Sequence, residues 1–359
     1  MEPRMAKYSK IAKYLKRIEK NGQFSNFGPL EVELRARLRN FIGDEKIHVS
    51  TCSSASIGIA GLTALLSSRD NKEWVVPSWT FTATPAAVHF SGSSFKFCDV
   101  EIETMAIGKK ILESDDNKIA VAPFGSKIEP FVNSNFKGNL IVDAAASFGA
   151  LQNITLNNRD DWACVVSLHS TKNLGAGEGG FVFSKNEDLV RDFRKWTNFG
   201  FSESRNSMML GFNGKLSEYN CAVALANLDE WTNNERLLTK LSKKELEIHK
   251  KYGFHGLEVL NQNIATPYWI IRVNHKMERK LLEKIFTKNN VQLRNWWSNG
   301  CHMMPAYLDA TRIDSLENTK VLSELTIGLP HHANLDHRQF KKISNLLKEV
   351  FCEIETAQN

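Results

Sequence analysis

Residues 163–184 read ACVVSLHSTKNLGAGEGGFVFS. Two short apolar runs, 163–166 and 181–183, have the length and the β-branched or aromatic character of buried strands. Between them lie Ser167, His169, Ser170, Thr171 and Lys172, then Gly175, Gly177, Gly179 and Gly180. Glycines at that density let a backbone turn tightly and approach a ligand closely. A lysine in such a loop is either an exposed hairpin residue or a group held for chemistry. This stretch by itself leaves both open.

The flanking sequence sets the loop in an alternating architecture. Upstream, 48–51, 74–77, 95–99, 119–123 and 140–143 read as strands, the last closing on Asp143. Helical spacing appears in 5–20, with Tyr8, Ile11, Ala12, Leu15 and Ile18 on one side. It recurs after Pro29 through Leu34, Leu38, Phe41 and Ile42, and again through Ile57, Ala60, Gly61, Ala64 and Leu65. A further helix is expected to open at 78–84, and another to span 189–196. Strands alternating with helices predict an α/β fold with a mainly parallel central sheet and helices on both faces. Ligands of such sheets sit beyond the carboxyl ends of strands. Ser54, Asp143 and Ser167 fall at such ends. From about residue 236 lysines and helix formers dominate, with a strand over 268–273, a helix over 277–286 and a last amphipathic helix after His332. The chain is thus expected to divide into a large α/β domain, 1–235, and a small α+β domain, 236–359.

Composition bounds the function. With 359 residues, 42% hydrophobic and 24% charged, the chain is an ordinary globular protein with room for a large core. A net charge of +6 is small and dispersed, which argues against nucleic-acid binding. No apolar run approaches the roughly 20 residues of a membrane span. The basic N-terminus lacks the apolar core of a signal peptide, so a cytoplasmic location is the default. Six scattered cysteines without a CxxC pair argue against zinc and against a disulfide framework; no metal is expected.

Ser167, Lys172 and the following Gly177-Glu178-Gly179-Gly180 resemble the lysine segment of the DegT-type aminotransferases, pyridoxal-phosphate (PLP) enzymes of fold type I. The resemblance implies that Lys172 forms a Schiff base with the cofactor and that Ser167 contacts its phosphate. Other segments match in order. Ser53, Ser54 and Ala55 stand where the family binds phosphate, largely through backbone amides. Hydroxyls there are also ordinary helix caps. Phe81, in a Thr-Phe-x-x-Thr pattern, resembles the residue that stacks on the pyridine, although a phenylalanine is more commonly plain core. Asp143, before two alanines, resembles the carboxylate that keeps the pyridine nitrogen protonated; it could equally cap the segment after the strand. The family's next polar residue, commonly Gln or His, is replaced by Ala146. Asn213, in Gly211-Phe212-Asn213-Gly214-Lys215-Leu216-Ser217-Glu218, resembles the asparagine that reaches the partner subunit's phosphate, or is a simple turn residue. His302 lies where the family has a histidine near the substrate entrance.

The resemblance implies transamination in which glutamate gives its amino group to a keto-sugar, nucleotide-linked, in amino-sugar biosynthesis for a surface polysaccharide or a glycosylated metabolite. It also implies a homodimer with shared active sites. Two other functions compete with it. Sugar dehydratases of the same fold carry histidine where this chain has Lys172. A PLP-binding regulatory or structural descendant draws some support from Ala146 and the altered phosphate segment.

Overall fold

The computed structural model describes residues 5–70, 72–256 and 264–358. Its centre is a sheet built from β1 (His48–Cys52), β2 (Trp74–Pro77), β3 (Phe95–Cys98), β4 (Asn117–Val121), β5 (Leu140–Asp143), β6 (Trp162–Ser167) and β7 (Gly180–Ser184). The spatial order is β1-β7-β6-β5-β4-β2-β3. Strands β6, β5, β4, β2 and β3 pair in parallel, while β7 runs antiparallel to both β1 and β6. Because β7 opposes both neighbours, β1 points the same way as β6. The carboxyl ends of β1, β5 and β6 therefore share one edge of the sheet.

Helices α1 (Tyr8–Asn21), α2 (Pro29–Ile42), α3 (Ala55–Asp70), α4 (Ala83–Phe90), α5 (Lys109–Leu112), α6 (Glu129–Val132), α7 (Glu187–Trp196) and α8 (Glu218–Asp229) surround it. Side chains on a strand alternate between faces, and that alternation produces two cores. Val142, Cys164 and Val166 join Leu34, Leu38 and Leu225 on one side. Ile141, Ala163 and Val165 join Ile59, Leu62 and Phe193 on the other. A sheet buried on both faces needs the near-continuous apolar strands seen here. The predicted sheet with helices on both faces is what the chain forms.

Helix α4 begins at Ala83, later than the sequence suggests. Residues 78–82 are committed elsewhere. The Ser78 amide donates to the Cys98 carbonyl at 3.0 Å, and the Ser78 carbonyl accepts from the Cys301 amide at 2.9 Å. Strand β4 likewise ends at Val121, before Pro123 opens a single 3₁₀ turn.

Helix α9 (Trp231–Tyr252) runs on from the first of the two sheet cores, where Trp231 and Leu238 pack, to a third core holding Ile248 and Tyr252. There β8 (His255–Gly256), β9 (Trp269–Arg272) and β10 (Arg294–Asn295) join β12 (Thr326–Leu329) in an antiparallel sheet, ordered β10-β12-β9-β8. Helices α10 (Lys276–Lys288) and α12 (His337–Gln358) pack on it, and α11 (Glu317–Leu325) precedes β12. Strand β11 (Thr311–Arg312) instead returns to the large sheet and pairs in parallel with β3.

Candidate active site

A cavity of about 370 Å³ opens at the shared carboxyl edge of the sheet. Ser54, Ala55, Phe81, Asp143, Ser167 and Lys172 all line it. Residues from separate segments meet because each follows the end of a strand or opens the helix after one, as strand ends at a topological switch require.

Asp143 is the last residue of β5 and is buried. Its Oδ2 accepts from Thr84 Oγ1 at 2.7 Å and its Oδ1 from the Ala145 amide at 3.1 Å. Burial pushes its carboxyl above the usual carboxylate range, against those two bonds and the charge of Lys172. A buried acid so placed has a use for a cationic partner.

Lys172 sits in the β6–β7 loop, where the Lys172 amide donates to the His169 carbonyl at 2.8 Å and the Ala176 amide to the Leu168 carbonyl at 2.7 Å. Its Nζ donates to Tyr268 Oη at 3.0 Å. The lysine is thus turned into the cavity rather than outward as a hairpin residue.

At the other end lies the start of α3, where Ser54, Ala55 and Ser56 line the cavity. Ser54 Oγ accepts from the Ile57 amide at 3.2 Å, so it is a cap. A helix start has four amides without intrahelical partners, so capping one leaves an anion site. Gly180 shapes this end. A Cβ there would stand 2.7 Å from the Ala55 nitrogen and 2.8 Å from the Ser54 carbonyl carbon.

Three candidates lie apart from the cavity. Among its described lining residues neither Ser53 nor Asn213 occurs. The Ser53 amide donates to the Gly214 carbonyl at 2.7 Å, which ties the 211–214 loop to the end of β1. Asn213 is exposed and bridges to Asn198. His302 is buried and its Nδ1 lies 2.6 Å from Ser78 Oγ, joining the two halves of the chain.

The structure also adds residues that sequence patterns do not mark. Thr84 holds Asp143, and Tyr268 holds Lys172. Phe124, Trp296 and Trp297 form an aromatic wall, with Phe124 stacked on Trp297 at 4.6 Å and Arg294 over the Trp296 ring at 4.3 Å. Phe124 adopts a positive φ of 54°, and Gly125 beside it has φ 89°. The only local signal is a Pro-Phe-Gly turn; the contacts come from distant segments.

The donor set fits pyridoxal phosphate. A buried carboxylate suits a protonated ring nitrogen, a lysine in the same cavity suits the aldehyde carbon, and a helix start suits the phosphate. Fold and site together define a PLP-dependent aminotransferase. The chain belongs to the DegT/DnrJ/EryC1/StrS aminotransferase family, whose sequence profile matches residues 6–122 and 132–348. It is 23% identical over 369 residues to the dTDP-4-amino-4,6-dideoxy-D-glucose transaminase of Shigella dysenteriae, covering 97% of this chain and 98% of that one. The enzyme of the same name from Escherichia coli is 25% identical, with 96% of each chain covered. Among solved structures, Helicobacter pylori PseC, an aminotransferase involved in the biosynthesis of pseudoaminic acid, has the same fold, with a TM-score of 0.81, 19% identity and 98% of each chain covered.

Proposed function

We propose that this enzyme moves the amino group of an amino acid, glutamate, onto the keto carbon of a nucleotide-linked sugar. The observation that carries this reading is the presence of Lys172 and the buried Asp143 in one cavity. The names of the full-length relatives support a sugar acceptor. Pyridoxal phosphate, when bound, would supply an electron-accepting ring. Lys172 would hold it covalently through Nζ. The same Nζ, when free, would act as the base that moves the proton at the donor carbon. Asp143 would keep a proton on the ring nitrogen, Ser54, Ala55 and Ser167 would hold the phosphate, and Phe81, which lines the same cavity, would face the ring. A coupled assay with glutamate and a panel of nucleotide keto-sugars tests this; no amino-sugar product from any of them would refute it. Lys172 removes the motive for the dehydratase reading, and the joint presence of Lys172 and Asp143 favours activity over a purely regulatory role.

We further propose a homodimer in which Asn213 completes the partner's phosphate site. The loop around it carries exposed apolar side chains, including Leu210 at 95% and Phe212 at 57% exposure. Neighbouring apolar residues exposed together mark an interaction surface, and two-fold dimers are the commonest assemblies. Light scattering checks the state. At limiting pyridoxal phosphate, mixing Asn213→Ala with Lys172→Ala subunits should restore activity to at most half the sites, and no recovery despite subunit exchange would remove the shared site. Work in the cytoplasm is part of the same proposal, tested by cell fractionation. Among the described residues no helix is long and apolar enough to cross a membrane.

A further inference from the structure

We propose that Tyr268 is a catalytic residue whose phenol steers the Lys172 amine, and that a buried Glu245–His331–Thr266 chain positions it. The inference rests on Lys172 being the reacting amine.

Tyr268 reaches the cavity from the segment just before β9, far along the chain from Lys172. Its Oη is 3.0 Å from Lys172 Nζ. The ring is buried and held edge-on by Trp296 at 4.7 Å and Phe124 at 6.2 Å. The small Ala146 belongs to the same packed cluster, which leaves room for the phenol at the cavity wall. A hydroxyl can accept from an ammonium and donate to a neutral amine. It can therefore hold Nζ in both protonation states, which a base that gives and takes a proton within one turnover requires. A carboxylate in its place would favour only the cation.

The backbone carrying Tyr268 is anchored on several sides. The Tyr268 amide donates to Thr266 Oγ1 at 3.2 Å, and Thr266 Oγ1 donates to the Phe124 carbonyl at 2.9 Å. Asn173, next to Lys172, donates from its side chain to the Ala265 carbonyl. His331 Nε2 lies 2.8 Å from the Thr266 carbonyl, and its Nδ1 lies 2.7 Å from Glu245 Oε1. A nitrogen facing a carbonyl must carry its proton. One further proton lies between Nδ1 and the carboxyl oxygen, so both bonds of the imidazole are made. All three residues are buried. Glu245 comes from α9, His331 follows β12, and Phe124 follows β4. The Glu245–His331 pair therefore ties the strap at 265–268 to α9 and the end of β12, while the Thr266 hydroxyl ties it to Phe124. Its effect on chemistry runs through Tyr268, which makes Glu245 and His331 positioning residues.

The test uses Tyr268→Phe, which keeps the ring and its packing, and Glu245→Gln. In the apoprotein, acetic anhydride labelling of Lys172 is compared by mass spectrometry with labelling of the exposed Lys7 and Lys10. Loss of the phenol should raise relative labelling of Lys172 about three-fold or more, because the amine is no longer held. In the holoenzyme, the half-reaction with L-glutamate should slow by about 10- to 100-fold in Tyr268→Phe. The KM for glutamate should stay within about three-fold, and the isotope effect with α-deuterated glutamate should rise. Glu245→Gln should move labelling and isotope effect the same way by a smaller factor, a change that loss of stability by itself would not produce. Wild-type labelling and an unchanged isotope effect in Tyr268→Phe would overturn the role of the phenol. The same values in Glu245→Gln would overturn the positioning chain. Lys172→Ala serves as the control. If it keeps turning over glutamate, the assignment of Lys172 fails. If it is inactive while Tyr268→Phe behaves as wild type, only the present inference fails.

Discussion

Replacing Asp143 by Asn should make the apoprotein more stable and the holoenzyme worse. In the native protein each carboxylate oxygen already accepts one hydrogen bond, from Thr84 Oγ1 at 2.7 Å and from the Ala145 amide at 3.1 Å. An asparagine oxygen keeps one of these. Thr84 can turn its proton toward Thr80 Oγ1, 2.9 Å away, and accept from the new amide. Little bonding is lost, whereas the burial that raises the Asp143 carboxyl no longer acts on a charge. This fixes the sign of the pH dependence. A carboxyl raised on folding lends stability that is full below its unfolded value and is lost as pH rises through the folded value. The melting temperature of apo Asp143→Asn should therefore exceed that of the wild type at pH 7, and the gap should narrow on acidification toward pH 4. Cofactor binding should move the other way. A charge-assisted hydrogen bond to the ring nitrogen is worth roughly 1.5–3 kcal/mol. Its loss corresponds to about 10- to 150-fold in affinity for pyridoxal phosphate, with a further loss in rate because the ring is a poorer electron sink. Calorimetry of the apoprotein across pH, fluorescence titration of the cofactor and single-turnover rates read these separately. A variant that binds and turns over as the wild type does, with the same apoprotein stability at both pH values, would show that Asp143 only caps the turn after β5.

Lys172→Ala should leave no cofactor on the protein after borohydride reduction, and turnover should fall by at least about 100-fold; a labelled, active variant would end this mechanism. Gly180→Ala places a methyl 2.7 Å from the Ala55 nitrogen, against backbone that cannot swing aside. It should cost about 1–3 kcal/mol, seen as a lower melting temperature together with weaker cofactor binding in the titration. Glu218→Ala removes a buried carboxylate that accepts the Leu30 and Glu31 amides at 2.8 Å each, where α2 begins. Loss of two such bonds should cost on the order of 3 kcal/mol or more in urea unfolding. An unchanged midpoint would mean that water replaces the carboxylate there.

Much of this protein is determined by its sequence alone. The alternation of apolar strands and helices specifies the α/β fold, because a strand buried on both faces and a helix with one apolar stripe can satisfy each other in few ways. Asp143, Ser167 and Lys172, which line one cavity, are legible as candidates for the same reason: they stand at or just beyond the ends of buried strands, and such ends collect on one edge of the sheet. Local signals carry no information about which distant segment will pack there. Tyr268 opens an ordinary strand in sequence, and becomes the partner of Lys172 only because the strap at 265–268 is held against Phe124 and the Lys172 loop. Thr84 looks like one more small residue in a helix until its hydroxyl is brought to Asp143 at the end of β5. Ser53 resembles its neighbours Ser54 and Ala55, yet its amide is taken by Gly214, a bond that depends on where the 211–214 loop folds back. Hydrogen-bond partners are chosen by proximity in space. For these residues that proximity is set by tertiary packing, after the local pattern has done all it can.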